Sequence, residues 1–312
     1  KMQEDERIIR ALYSCAVDAL GPQLLRPLGF PHSRLGLRSL LAATRAAGLE
    51  CATAALGRVW HAADEPGPVN LAYAGRSLRL PYNQPISTAV PPEIASTRTL
   101  VLVFSSLGWH GLVRAEYGST LKAVGDDSLV LAHCLDTSQS WFLTNPMTGE
   151  YDDGAWWDAE LAELCAPYDR VCILGESMGA TAALRYAKHA KRGAVVALVP
   201  QIDVRDFGDY ASGRSDFSDE RKERLVESIR SSCVECCRSE QLVLHVGRDP
   251  PDLKQLAYLP EEAHESGRLK VVKHNVAGHA LGAGLKEQGL LRKTILRDLL
   301  GHSYRLPPAG GL

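Results

Sequence analysis

A serine set between glycines, Gly175-Glu176-Ser177-Met178-Gly179, is the residue of this chain best suited to covalent chemistry. In a G-x-S-x-G turn between a strand and a helix, the glycines let the backbone fold sharply and lift the hydroxyl above a sheet edge. A serine hydroxyl is a poor nucleophile until a base takes its proton, and that base needs an acid to orient it. For this kind of turn the chain order is Ser, then Asp or Glu, then His. The sequence supplies that order in "GRDPPDLKQLAYLP", with Asp249 and Asp252, and in "NVAGHALGAGLKEQGLL", with His279. Of the ten histidines, His279 alone combines this order with a preceding glycine after the last strand pattern; His274 lies inside that pattern and His302 beyond the final helix. Residue type leaves the acid open, since Asp252 also suits a helix N-cap and Asp249 a turn before proline.

Acyl chemistry at Ser177 also needs donors for a developing oxyanion. The backbone N–H of Met178, the residue after the nucleophile, is the first candidate. The second is sought in "SSLGWHG" (105–111), at Leu107, Gly108 or Trp109; His110 is either a substrate contact or a surface residue. Trp141 and Phe142, with Trp156 and Trp157, place three of the five tryptophans within seventeen residues. Such a cluster floors an apolar acyl pocket or a sugar-stacking platform, or simply packs under a long loop. Cys233 and Cys236 have C-x-x-C spacing but no second pair at ligand spacing, so they read as small residues lining a helix or loop. Nothing in the pattern calls for a cofactor or a metal.

These residues need a sheet to hold them. Apolar β-type runs occur at 99–107, 128–136, 170–175, 194–200, 241–247 and 269–275, with helical segments between most of them, notably Ala180–Ala190 and Asp219–Arg230. Strand–helix alternation with near-continuous apolar strands predicts an α/β fold, a mostly parallel sheet with helices on both faces. Ser177 follows the third run, the aspartates the fifth and His279 the sixth, at the strand ends where open α/β sheets build their sites. "NLAYAGRSLRLPY" alternates around Gly75 and predicts a hairpin. Residues 1–66 read as a helical N-terminal extension, 67–303 as the α/β domain and 304–312 as a flexible tail. The extension offers a face for a partner or a second subunit.

Of the 312 residues, 45% are hydrophobic and 23% charged, and the net charge is −2. That balance points away from nucleic acid. No apolar run approaches the roughly 18 residues of a membrane span. Eight scattered cysteines suit a soluble protein of a reducing compartment, cytoplasmic or organellar. Lys1 precedes Met2, which leaves room for a removed targeting peptide.

"GESMGATAAL", the Ser–Asp–His order and the strand pattern resemble the α/β-hydrolase superfamily over about residues 95–300. "VFSSLGWHG", "DTSQSWFL", "LVPQID", "DLKQLAYL" and "AGHALGAGLKEQGLL" are similar to serine-hydrolase-like proteins associated with polysaccharide biosynthesis. The resemblance implies Asp252 as the acid, through D-x-x-[HQ]-x-x-x-L. The chain departs from many relatives in having Ala180 after the elbow where they carry a second glycine, and it lacks an H-G-G-G oxyanion motif.

The leading expectation is a serine hydrolase acting on a small acyl ester or thioester. An acyltransferase using the same residues is the second, and a non-catalytic subunit of a larger assembly the third. A Ser177 Oγ lying more than about 5 Å from any histidine nitrogen would favour that last reading.

Overall fold

A computed structural model describes residues 98–107, 116–122, 124, 128–136, 140–146, 150–207 and 218–301, together with the backbone of three short strands at 70–73, 76–79 and 86–87. The expected helical extension at 1–66 and tail at 304–312 lie outside the described residues. The chain divides into two compact units, one of residues 1–87, 107–114 and 134–157, the other of 88–106, 115–133 and 158–312.

In the first unit, β1 (Asn70–Tyr73) and β2 (Arg76–Arg79) pair antiparallel, with Asn70 opposite Arg79 and Tyr73 opposite Arg76. This is the hairpin that the alternation around Gly75 predicts. A two-residue strand, β3 (Ile86–Ser87), follows. Further on, the Asp136 carboxylate accepts the N–H groups of Ser140 (2.6 Å) and Phe142 (2.8 Å), folding the chain into a tight turn. Trp141 and Phe142 sit in that turn with φ of 57° and 60°.

The second unit carries the sheet: β4 (Thr99–Phe104), β5 (Leu129–Cys134), β6 (Arg170–Glu176), β7 (Ala194–Leu198), β8 (Gln241–Val246) and β9 (Leu269–Lys273). Their order across the sheet is β5-β4-β6-β7-β8-β9. The β4–β6, β6–β7, β7–β8 and β8–β9 pairs are parallel. All six apolar runs form strands, several ending earlier than the runs themselves. β7 stops at Leu198 because Val199 turns to φ 44°, out of the extended region, while its N–H donates to His245 O.

Helices cover both faces. They are α1 (Gly118–Lys122), α2 (Ala155–Cys165), α3 (Met178–Arg185), α4 (Asp219–Cys236), α5 (Pro250–Gln255), α6 (Glu261–Glu265), α7 (Leu281–Glu287) and α8 (Leu291–Leu300). Strand side chains alternate between faces. Val101, Val103, Cys172, Leu174, Val196, Leu198 and Val243 meet Leu281 and Leu285 of α7 and Ile295, Leu296 and Leu299 of α8 in one buried cluster. The alternate residues turn to the opposite face, where α3 packs on β4, β6 and β7 and on α4. With both faces covered, β7 is buried along its whole length, which is why its sequence is a continuous apolar run. Cys233 and Cys236 lie one turn apart on α4, both buried. Burial raises their thiols, Cys236 to about 12, which leaves them poor nucleophiles.

Candidate active site

Ser177 stands between β6 and α3 with φ 54° and ψ −121°, a backbone conformation that costs of order 1–3 kcal/mol for a residue with a Cβ. Its surroundings hold it there. Ser177 N–H donates to Leu198 O (2.9 Å), and Ser177 O accepts the N–H of Thr181 (3.0 Å). The flanking glycines let strand and helix come together. A Cβ at 175 would run into the Gly179 carbonyl and lie 2.7 Å from Ala180 N; one at 179 would run into Phe104 O and lie 2.9 Å from Ser105 O. Thr181 Oγ1 accepts the N–H of Gln201 (2.9 Å), tying the loop after β7 to the same helix.

His279 and Asp252 approach from the ends of β9 and β8. Ser177 Oγ lies 2.7 Å from His279 Nε2, and His279 Nδ1 lies 2.7 Å from Asp252 Oδ1. With Nδ1 carrying the proton towards the carboxylate, Nε2 is left as an acceptor for the serine hydroxyl. Asp252 is 1% exposed, and its Oδ2 has no hydrogen-bond partner among the described residues, so the imidazole is its main polar contact.

Asp249 has a different place. It precedes α5, whose first two positions are Pro250 and Pro251, and its Oδ1 accepts the N–H of Gly278 (2.9 Å), the residue before His279. One aspartate therefore meets the imidazole, and the other holds the loop that carries it.

Met178 is the first residue of α3, so its N–H has no intrahelical acceptor. Leu107 is part-exposed beyond the end of β4, while Gly108, Trp109 and His110 lie outside the described residues. In the other unit, Trp141 and Phe142 are 1% and 0% exposed. Phe142 meets the Trp157 ring edge-on at 4.8 Å between centroids, and Trp157 Nε1 donates to Thr144 O (3.1 Å).

The residue types leave one feature of the site unannounced. Glu176, the variable residue of the elbow, accepts the N–H of Gly282 (2.7 Å) on Oε1 and the Tyr117 hydroxyl on Oε2. Ser106 Oγ lies 2.8 Å from Glu176 O and 2.6 Å from Glu116 Oε2. A hydroxyl has one proton, so both contacts are satisfied when Glu116 is itself protonated and donates to Ser106. Burial, opposed by the Ser106 hydroxyl and reinforced by the Glu176 charge, raises Glu116 from 4.5 to about 7. Burial and the same charge raise Tyr117 well above its ordinary value. A glutamate beside the serine in the motif was the available signal, but nothing in the pattern says what it touches.

Among the described residues, no group of three or more His, Cys, Asp or Glu side chains is arranged to hold a metal ion, and no helix is long and apolar enough to cross a membrane. No protein-family model matches the chain, and no curated protein matches it by sequence. Its fold does match solved structures. The capsule O-acetyltransferase of Neisseria meningitidis serogroup A, in complex with caged gadolinium, superposes with a TM-score of 0.52 at 15% identity, over 74% of this chain and 94% of that one. A histidine-to-alanine mutant of the same enzyme in complex with CoA gives 0.51 at 14% identity, over 73% and 94%. An S-formylglutathione hydrolase from Agrobacterium tumefaciens gives 0.44 at 14% identity, over 78% and 97%. Strand order, the strained turn after β6 and the likeness to the capsule O-acetyltransferase together give the chain an α/β-hydrolase-like fold.

Proposed function

We propose that this protein is a serine hydrolase that cleaves a small acyl ester or thioester through an acyl-enzyme on Ser177. The observation that carries the reading is the unbroken chain from Ser177 Oγ to His279 Nε2, and from His279 Nδ1 to Asp252 Oδ1, at 2.7 Å for each contact. The Ser177–His279 contact is well inside the separation that would favour a non-catalytic role.

The steps follow from that order. Ser177 Oγ attacks the carbonyl carbon as its proton passes to His279 Nε2, and the imidazolium is held by Asp252. Negative charge develops on the former carbonyl oxygen, beside the N–H of Met178 at the positive end of α3. The tetrahedral centre collapses, the bond to the alkoxide or thiolate breaks, and the leaving group takes the proton from Nε2. Water then attacks the acyl-serine, gives its proton to Nε2, and the acid departs as Ser177 recovers it. Asp249 does not enter these steps; through Gly278 it orients the loop. Hydrolysis of short-chain 4-nitrophenyl esters by the wild-type chain, lost in Ser177→Ala, tests the reading; equal turnover by the variant sinks it.

The similarity to a capsule O-acetyltransferase favours a second reading, in which the same acyl-serine is attacked by an alcohol instead of water. Product partition with and without a polyhydroxyl acceptor separates the two. Transfer requires the acyl-acceptor ester to form faster than free acid.

A further inference from the structure

Glu176 takes no part in the steps above, yet three segments converge on it. Its main-chain carbonyl lies 2.8 Å from Ser106 Oγ, in the segment after β4. Its Oε1 accepts the N–H of Gly282 at 2.7 Å, in the first turn of α7. Its Oε2 accepts the hydroxyl of Tyr117, just ahead of α1. Gly282 comes three residues after His279, and Ser177 follows Glu176 directly. One side chain thus bridges the nucleophile turn and the loop that carries the base.

The bridge is close-fitting. A Cβ at position 282 would collide with the Glu176 carboxylate and lie 2.7 Å from the Tyr117 hydroxyl oxygen, so the glycine admits the carboxylate to the helix backbone. None of the three partners is a cation. Among the described residues the carboxylate is held by hydrogen bonds, each with defined direction.

We propose that Glu176 is a positioning residue that, with Tyr117 and Gly282, fixes the His279 loop against the Ser177 turn. This rests on the functional reading above and deepens it. Its action is geometric: the Gly282 N–H sets where α7 begins, and the start of α7 sets where His279 Nε2 lies. A displacement of about 1 Å at the reacting atoms is enough to cost on the order of 100-fold in rate.

The test compares wild type, Glu176→Ala, Glu176→Gln and Tyr117→Phe by three readouts: the rate of Ser177 modification by a fluorophosphonate, hydrogen exchange of the Gly282 amide, and the His279 imidazole resonances. Glu176→Ala is expected to slow modification about 10- to 100-fold, expose the Gly282 amide and move the His279 resonances. Glu176→Gln restores most of the rate, because its Oε1 accepts from Gly282 while its Nε2–H donates to the Tyr117 oxygen. Tyr117→Phe, which keeps the Gly282 bond, shifts the His279 resonances less and in the same direction, and serves if Glu176→Ala does not fold. Wild-type rates in Glu176→Ala would overturn the proposal. So would a glutamine variant as slow as alanine with its Gly282 amide still protected, since charge and not placement would then be at work. If wild type itself leaves Ser177 unmodified, the functional reading fails, and the amide exchange and imidazole resonances still decide whether the bridge positions His279.

Discussion

Replacing Glu116 by glutamine should change how the stability of this protein depends on pH. In the fold, burial raises the Glu116 carboxyl from 4.5 to about 7. At 1.36 kcal/mol per pH unit, ionising it in place costs about 3 kcal/mol more than ionising it in the unfolded chain. Because the folded pKa is the higher one, the folded protein binds more protons than the unfolded chain between 4.5 and 7. Stability is therefore full below that window and falls as pH rises through it. Glutamine keeps the shape and has no ionisable group, so this slope is absent from Glu116→Gln. His189 and His274, whose pKa values burial lowers, lose stability in the opposite sense as pH falls, but they do so in both proteins and cancel in the comparison. Urea denaturation of both proteins at intervals from pH 4.5 to 8 measures the difference. The variant should gain about 3 kcal/mol on wild type across the range. A difference that stays constant with pH would refute the reasoning, because Glu116 would then ionise as it does in water.

Other substitutions probe the remaining parts of the site. Gly179→Ala should cost about 3 kcal/mol or more by thermal denaturation, since its Cβ meets backbone oxygens of Phe104 and Ser105 that cannot step aside. Asp252→Asn should leave the fold intact and slow ester hydrolysis about 10³- to 10⁴-fold, because the imidazole loses the acceptor that selects its tautomer. Asp249→Ala, which only frees the Gly278 amide, should slow it about tenfold, and Asp249→Asn should recover most of that loss because its Oδ1 still accepts.

The inner strands were legible because they are buried on both faces, and a strand such as β7 then has no choice but to be apolar throughout, whereas the edge strand β9 has no buried residue. The elbow was legible because its glycines answer a steric demand, the close approach of α3 to β4 and β6. The choice between Asp249 and Asp252 was not open to residue type. It depends on where α5 starts: with Pro250 at its first position, Asp252 lies within the first turn and Asp249 before it. Trp141 and Phe142 illustrate a second limit. An aromatic cluster has the same sequence signature whether it floors a pocket or packs a core. The Glu176 bridge was hidden for a third reason. Its partners, Ser106, Tyr117 and Gly282, come from three distant segments, and no local spacing connects them.

The central claim is that Ser177 is a nucleophile activated by His279. Intact mass and peptide mapping after exposure to a fluorophosphonate test it most directly, with Ser177→Ala and His279→Ala alongside. A single adduct on Ser177 is expected in the folded wild-type protein, none in Ser177→Ala and much slower formation in His279→Ala. Folded wild-type protein that forms no adduct, or that labels equally well once Ser177 is alanine, would contradict it.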